Sequence, residues 1–219
     1  MDSTTAGFRG DGEFELLTRW QAGDQHAGDA LIRAHFWRIY RFFRAKLDSA
    51  AEDLTQRTFL AAVEARERVD ARLSFRAYLF GIARWKLVHF HRRQGARTEA
   101  FDPGRDPMEL PDVVASMTSR LGTRQEEVLL VQGMRTLAFD DQMVLELKYY
   151  DGLSVRELAA VFELPRATMA DRLHRARKRL GAAVRRLSAN ARLVDSTLTG
   201  LDAHMRSVRA QMLTEVDRE

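Results

Sequence analysis

The sequence predicts an all-α protein with two small helical domains, a flexible acidic linker between them and a C-terminal helical extension. Apolar residues recur at helical spacing, and no convincing run alternates β-branched with polar residues. Proline lacks an amide donor and restricts the residue before it, so clustered prolines exclude a continuous helix. Three of the four prolines lie in one acidic stretch: Pro103, Pro107 and Pro111. The predicted boundaries are 1–94, 95–120, 121–186 and 187–219.

Bulk properties exclude several classes of protein. The 219 residues include no cysteine, which excludes disulfides and thiolate metal sites. The first residues lack a basic-then-apolar signal sequence, and no apolar run approaches the roughly 20 residues that span a bilayer. A soluble, cytoplasmic protein without membrane contact is therefore expected.

Charge is concentrated in two basic blocks on either side of the acidic stretch. Arg72–Arg97 holds seven Arg or Lys and no acid, and Arg166–Arg186 holds eight with the single acid Asp171. Thr98–Asp112 is acidic, with Arg105 its only base. This distribution predicts two contacts with a polyanion. From charge alone, two ordinary solvated helix faces remain an alternative.

The first domain is predicted to contain helices near 13–22, 27–47, 51–67 and 74–94. Phe75, Tyr78, Leu79, Ile82 and Phe90 form one apolar face of the last of these helices. The opposite face carries Arg76, Phe80, Arg84, Leu87 and His91. Cations for phosphates and rings that stack on bases are what single-stranded nucleic acid binding requires. A helix buried on two sides is the alternative, and the pattern leaves both open.

The second domain is predicted to end in a helix-turn-helix. Helices near 124–136 and 139–150 precede a capping box at Ser154–Glu157, a short helix and a turn at Glu163–Pro165. A longer helix then places Met169, Leu173, Ala176 and Leu180 on its inward face. Its outward face holds Ala167, Asp171, Arg175 and Lys178, flanked by Thr168, Arg172 and Arg179. A short helix, a tight turn and a basic second helix are typical of this DNA-binding motif.

Several stretches resemble sigma factors of the extracytoplasmic-function type, in the sigma-70 superfamily. Asp53–Phe59 is similar to that family's Asp-Leu-x-Gln-Glu-x-Phe stretch, and Leu73–Arg84 with His91–Arg93 resembles its helix for the downstream (−10) promoter element. Leu153–Ala160 and Arg172–Leu180 resemble its helix-turn-helix for the upstream (−35) element. The resemblance covers roughly residues 13–185 and implies a region 2-like and a region 4-like domain.

The resemblance implies a factor that binds core RNA polymerase, through its largest and second-largest subunits, and promoter DNA, both duplex and melted. It implies polymerase-binding residues Asp53, Leu54, Gln56, Arg57 and Leu60. The downstream element would be contacted by Arg72, Ser74, Arg76, Phe80, Arg84, Trp85, His91, Arg92 and Arg93. The upstream element would be contacted by Arg166, Ala167, Thr168, Asp171, Arg172, Arg175, Lys178 and Arg179. An anti-sigma or other regulatory protein is a further candidate partner.

Some positions depart from the family pattern. Arg57 stands where glutamate is usual, so polymerase affinity is expected to differ. Trp85 replaces an asparagine and either stacks on an unpaired base or fills core space, with the core slightly favoured. Glu163 replaces the usual turn glycine, where a left-handed backbone costs about 1 kcal/mol, so another turn shape is expected.

The C-terminal extension carries a heptad-like seam: Leu187, Ala191, Val194, Leu198, Leu201, Met205, Val208 and Met212. Two interpretations are open: the extension packs on this chain's own domains, or it serves self-association or docking of a regulator. Two other functions are also open, a helix-turn-helix regulator that never joins the polymerase and a protein-interaction module that acts through its extension. No enzyme, cofactor or metal site is predicted, because metalloprotease, phosphate-loop and nucleophile-elbow patterns are absent.

Overall fold

A computed structural model describes residues 11–47, 49–69, 74–95, 101–107 and 125–216. Within these ranges the regular structure is helical, which confirms the all-α prediction. The chain divides into two compact units, Met1–His91 with Ala160–Glu163 and Arg92–Ala159 with Leu164–Glu219. Among the described helices, none has the length and apolar content needed to cross a membrane.

The first unit is built from four helices, close to the predicted ones. They are α1 (Asp11–Gln21), α2 (Gln25–Arg44), α3 (Ala51–Glu64) and α4 (Phe75–Gly95), with a 3-10 turn at Arg66–Arg68 before α4. Asp24 starts α2, because its side chain accepts a hydrogen bond from the amide of Ala27 at 3.2 Å.

Aromatic side chains join three helices in the core of the first unit. The Trp20 ring of α1 meets the Phe75 ring of α4 edge-on, with the ring centroids 5.8 Å apart. Trp20 also lies directly on Gly28 of α2, where a Cβ atom would collide with the indole. Phe75 itself is buried, as is Phe43 of α2. Large buried rings and one glycine therefore set how closely α1 and α2 approach.

A partly buried carboxylate, that of Glu13, connects α1 to both α2 and α4. Oε1 of Glu13 lies 3.2 Å from Nε2 of His35 and accepts the backbone N–H of Arg76 at 3.0 Å. Burial alone would raise the pKa of Glu13. The hydrogen bond and charge of His35, with the amide and charge of Arg76, outweigh burial and hold that pKa below its ordinary value of 4.5. The ionised form is therefore the one that the fold prefers.

The second unit contains α5 (Gln125–Arg135), α6 (Phe139–Tyr149), all but the last two residues of α7 (Val155–Val161), α8 (Arg166–Leu187), α9 (Ala191–Thr199) and α10 (Leu201–Val216). The predicted capping box is confirmed at the start of α7. Ser154 N donates to Glu157 Oε2 at 2.8 Å, and Glu157 N donates to Ser154 Oγ at 3.2 Å. The short helix and the longer α8 form the predicted helix-turn-helix.

The C-terminal extension is broken rather than one continuous helix. Residues 188–190 separate α8 from α9, where Asn190 caps Leu193 N at 3.2 Å, and Gly200 separates α9 from α10. A Cβ atom at Gly200 would collide with the His204 ring, so this break favours glycine. The heptad seam therefore does not describe a single coiled-coil strand.

Instead, the extension packs on α5 and α6 of its own unit. Met205 and Val208 are buried, and Val208 lies in one apolar cluster with Val131 and Tyr150. Ser196 Oγ donates to Glu126 Oε1 at 2.9 Å. For the described residues, the interpretation that the extension folds back on this chain's own domain is confirmed.

Part of the predicted linker is a compact turn. Residues 101–107, here called the capping segment, are the only described residues between α4 and α5. The amides of Arg105 and Asp106 both donate to Asp102 O, at 3.0 and 2.8 Å. Local hydrogen bonds therefore fold these residues of the predicted linker into a turn on α6. The rest of 96–124 lies outside the described residues.

We expect Glu13→Gln to lower the free energy of unfolding by about 1–3 kcal/mol at neutral pH, because it removes a buried charge-assisted contact. The folded pKa lies below the unfolded one, so this stabilisation is present above pH 4.5 and is lost as the pH falls through the folded pKa. Denaturant unfolding of the wild type and of Glu13→Gln, from neutral pH to below pH 4.5, measures this pH-dependent stabilisation. Exposed Glu15→Gln is the control. Identical pH profiles for both variants would contradict the role of Glu13.

Candidate polymerase and nucleic-acid interfaces

The inward and outward faces of α8 are as predicted. Met169, Leu173, Ala176 and Leu180 are all buried. Six of the predicted upstream-element residues are exposed on the outward side, from here the recognition face: Arg166, Ala167, Thr168, Asp171, Arg175 and Lys178. A helix of 22 residues, fixed by one apolar face, leaves this other face open to solvent.

The turn before α8 keeps a left-handed residue. Glu163 has φ of 53°, and the next amide, Leu164 N, donates to Ala159 O at 2.9 Å. The expectation of another turn shape is therefore wrong: the hydrogen-bonded end of α7 and the start of α8 impose the conformation despite a cost of about 1 kcal/mol.

Two predicted DNA contacts are engaged with α6. Arg172 Nη2 lies 2.8 Å from Asp140 Oδ2, and Arg179 Nη1 lies 2.6 Å from Asp141 Oδ2. Both aspartates are buried, and the Arg172 side chain is 26% exposed. The Arg172 guanidinium joins α8 to α6 inside the unit, and its contact with DNA stays a prediction. Arg179 is more exposed, so it can also face a phosphate.

Two further arginines of α8 differ in their partners: Arg175 pairs within α8, whereas Arg177 contacts α6 and α10. Arg175 Nη2 lies 2.8 Å from Asp171 Oδ2, one helical turn earlier, and both side chains are exposed. Arg177 Nε donates to the Tyr149 hydroxyl at 2.6 Å, and its Nη2 lies 3.8 Å from Asp202 in the extension. The first pair belongs to the recognition face; the second joins α8 to α6 and α10.

The sequence analysis missed His174 as a member of the recognition face. It is exposed and falls between Asp171 and Lys178 on one stripe of α8. Steps of four, three and four residues from Ala167 pass through it. That spacing is the signal by which the sequence could have identified it. The buried pair Asp140 and Asp141 was also missed, since adjacent acids at a helix start usually indicate a solvated first turn.

Helix α3 presents a polar edge with one apolar side chain. Arg57 Nε lies 2.8 Å from Asp53 Oδ1, Gln56 Nε2 donates to Glu52 Oε1 at 3.2 Å, and all of these side chains are exposed. Leu60 is 57% exposed on the same face. Leu54 is buried and packs in the core. The prediction of a polymerase contact is therefore wrong for Leu54, because helical spacing turns its side chain inward.

Helix α4 is buried on two sides, which decides between the two open interpretations of its faces. Phe80 is fully buried and meets Phe42 edge-on at 5.5 Å between ring centroids, and Leu87 is also buried. Phe80 is thus a core residue, and the prediction that it contacts DNA is wrong for this conformation. Trp85 is 58% exposed, with its ring 4.0 Å from that of His89. The slight preference for Trp85 in the core is wrong as well.

The remaining candidates on α4 divide by burial. Ser74 Oγ accepts the amide of Ala77 at 3.3 Å at the start of the helix. Arg76 and Arg84 are partly buried, whereas Arg92 and Arg93 are exposed near the helix end. Burial lowers the pKa of His91, which favours its neutral form and removes it as a cation for phosphate. Arg72 lies outside the described residues.

No cluster of His, Asp or Glu in the described ranges has the arrangement needed to hold a metal ion.

Comparison with known proteins gives matches on both units. The family pattern described as Sigma-70 region 2 matches residues 31–97, and that described as Sigma-70, region 4 matches residues 127–180. The ECF RNA polymerase sigma factor SigC of Mycobacterium tuberculosis (strain CDC 1551 / Oshkosh) is 34% identical over 170 residues, which span 72% of this chain and 83% of the relative. The ECF RNA polymerase sigma-E factor of Escherichia coli (strain K12) is 26% identical over 172 residues, 74% of this chain and 89% of the relative.

A solved structure is also similar. CnrH, in a complex with the cytosolic domain of CnrY, superposes with a TM-score of 0.52 and 26% sequence identity. The match covers 81% of this chain and 100% of that chain.

We expect Arg172→Ala to lower the free energy of unfolding by about 1–3 kcal/mol, because it leaves the buried Asp140 carboxylate without its charged partner. Arg175→Ala removes an exposed ion pair and should change stability by less than about 0.5 kcal/mol. Thermal unfolding of the full chain compares the two. Equal stability of both variants would show that the Arg172 contact with α6 contributes nothing.

Proposed function

The chain belongs to the extracytoplasmic-function sigma factors of the sigma-70 family, and we propose how its residues divide the work of that family. As a sigma factor it binds core RNA polymerase and directs it to promoters. The observation that carries the residue assignment is the exposed recognition face of α8, held in place by a buried apolar face. The two units supply two kinds of contact, one with polymerase and melted DNA and the other with duplex DNA.

In our proposal, α3 of the first unit docks on the polymerase. Leu60 offers an exposed apolar side chain, and burying a leucine fully contributes about 1.5–3 kcal/mol. Asp53, Gln56 and Arg57 surround it with exposed polar groups that set orientation. The ion pair between Asp53 and Arg57 already orders this edge before binding. Arginine at this position gives the polar edge a cation where relatives usually have an acid.

The exposed face of α4 is proposed to contact the melted downstream element. Stacking one base on an aromatic ring contributes about 1–3 kcal/mol, and unstacking a flipped base costs a few kcal/mol. Trp85 is the exposed ring available for this stacking. Arg92 and Arg93 provide cations for the strand's phosphates. Phe80 makes no contact with the strand in this proposal, since its ring is buried in the core of the first unit.

The recognition face is proposed to read the upstream element in the major groove. Arg166, Lys178 and Arg179 neutralise phosphates, which gives salt-dependent affinity without sequence information. Asp171 accepts a hydrogen bond from cytosine N4, and the Ala167 methyl suits contact with a thymine methyl. Arg175 then leaves Asp171 for a guanine edge or a phosphate.

The chain performs no covalent chemistry in this proposal and works in the cytoplasm, where the polymerase acts. A regulatory protein is proposed as a further partner, because the structurally similar CnrH was solved with the cytosolic domain of another protein bound.

Two sets of substitutions should separate the two activities. Arg175→Ala should weaken duplex binding and reduce its dependence on log salt by about one unit, while affinity for core polymerase stays unchanged. Asp53→Ala with Gln56→Ala should weaken polymerase binding and leave duplex binding intact. Titration with labelled duplex measures the affinity for DNA, and titration with core polymerase measures the affinity for the polymerase.

Matched controls test whether position or mere charge matters. Arg206→Ala removes an exposed arginine from α10, and Glu67→Ala removes an exposed acid next to α3. Both controls should retain both activities. The reverse pattern, with Arg175→Ala impairing polymerase binding, would contradict the assignment of the units.

A further inference from the structure

The capping segment supplies the N-terminal cap of α6. Ala138, the residue before this helix, has no side-chain oxygen to accept its first amides. Phe139 N instead donates to Asp106 O at 2.8 Å, and Asp140 N donates to Pro103 O at 2.8 Å. Two amides that a helix start leaves without a partner are therefore satisfied by the chain between α4 and α5.

Side chains within the segment hold those carbonyls in position. The Asp106 carboxylate accepts the amide of Asp102 at 2.8 Å, and the Asp102 carboxylate accepts that of Gly104 at 2.9 Å. The Phe101 ring meets the Phe139 ring of α6 edge-on, at 5.7 Å between ring centroids. The segment is therefore a preformed turn with an aromatic anchor.

The capped turn carries the two aspartates that fix the recognition helix. Asp140 and Asp141 pair with Arg172 and Arg179, which lie about two turns apart along α8. Two ion pairs at different positions along α8 fix both the rotation of the helix about its axis and its position along that axis. If the first turn of α6 loses its cap and frays, both attachments shift together.

We propose that the capping segment is a positioning element for promoter recognition, which holds the first turn of α6 and so sets the orientation in which α8 presents its recognition face. This inference rests on the proposed role of α8 in reading the upstream element. Because the segment lies within the second unit, in the chain between α4 and α5, its docking couples that part of the chain to upstream recognition. By linkage, duplex binding also stabilises the docked segment.

The experiment uses the full chain and a duplex that the wild type selects from a randomised pool. Asp102→Ala with Asp106→Ala removes the two side-chain acceptors that hold the turn. Affinity for the selected duplex should fall about three- to tenfold, the loss expected when one or two net hydrogen bonds are removed. Affinity for a scrambled duplex should stay constant or rise slightly, because two negative charges have gone. An unchanged ratio of the two affinities would overturn the proposal.

The matched control is Asp102→Asn with Asp106→Asn, which removes the same charges but keeps both side-chain acceptors. It should retain the wild-type ratio. A loss equal to that of the alanine variant would overturn the proposal, because charge rather than capping would then be responsible. Amide exchange gives an independent readout: Phe139 and Asp140 should lose protection in the alanine variant alone. Unchanged protection there would also contradict it.

Arg175→Ala, measured in parallel, separates this inference from the function on which it rests. If Arg175→Ala keeps the wild-type affinity for the selected duplex, the proposed role of α8 is wrong. Suppose instead that Arg175→Ala weakens binding to the selected duplex and Asp102→Ala with Asp106→Ala does not. The proposed role of α8 then stands, and the proposed role of the capping segment is wrong.

Discussion

The attachment of α8 to α6 through two buried carboxylates is the constraint on which the second unit depends. Asp140 and Asp141 are removed from water, so each needs a charged or hydrogen-bonded partner, and Arg172 and Arg179 supply it. Removing either arginine would take a charged partner from a buried carboxylate, so the ion pairs favour one orientation of α8. The apolar face of that helix provides burial energy but tolerates some rotation. Sequence reading by the opposite face requires a single orientation, which the ion pairs favour.

This constraint divides the arginines of α8 into two groups that composition alone cannot distinguish. Arg172 and Arg177 make contacts within the unit, to α6 and to the extension, whereas Arg166 and Arg175 are exposed on the recognition face. Arg179 does both. The net positive charge of the helix therefore overstates the charge available to phosphates. The extension has a structural part here, since Asp202 lies beside Arg177 and α10 buries apolar residues against α5 and α6.

Helical periodicity was enough to predict the all-α fold, the capping box at Ser154 and the faces of α8. Helical periodicity failed where tertiary contacts determine whether a side chain is buried or exposed. Phe80 is on a face that mixes polar and apolar residues, and only its packing against Phe42 shows that it points inward. The slight preference for Trp85 in the core was wrong, because its ring is exposed beside that of His89. The prolines predicted that the connection is not one continuous helix, and the described residues 101–107 are not helical. The prolines gave no indication that these residues fold onto α6, because that contact uses backbone carbonyls.

The central claim is that this chain directs core polymerase to promoters through two separate DNA contacts. Run-off transcription from a pooled promoter library, with core polymerase free of other sigma factors, tests it most directly. The account predicts start sites that require this protein and share an upstream and a downstream motif at a fixed spacing. Duplex binding without any start site that depends on the protein would contradict it and would favour a regulator that never joins the polymerase.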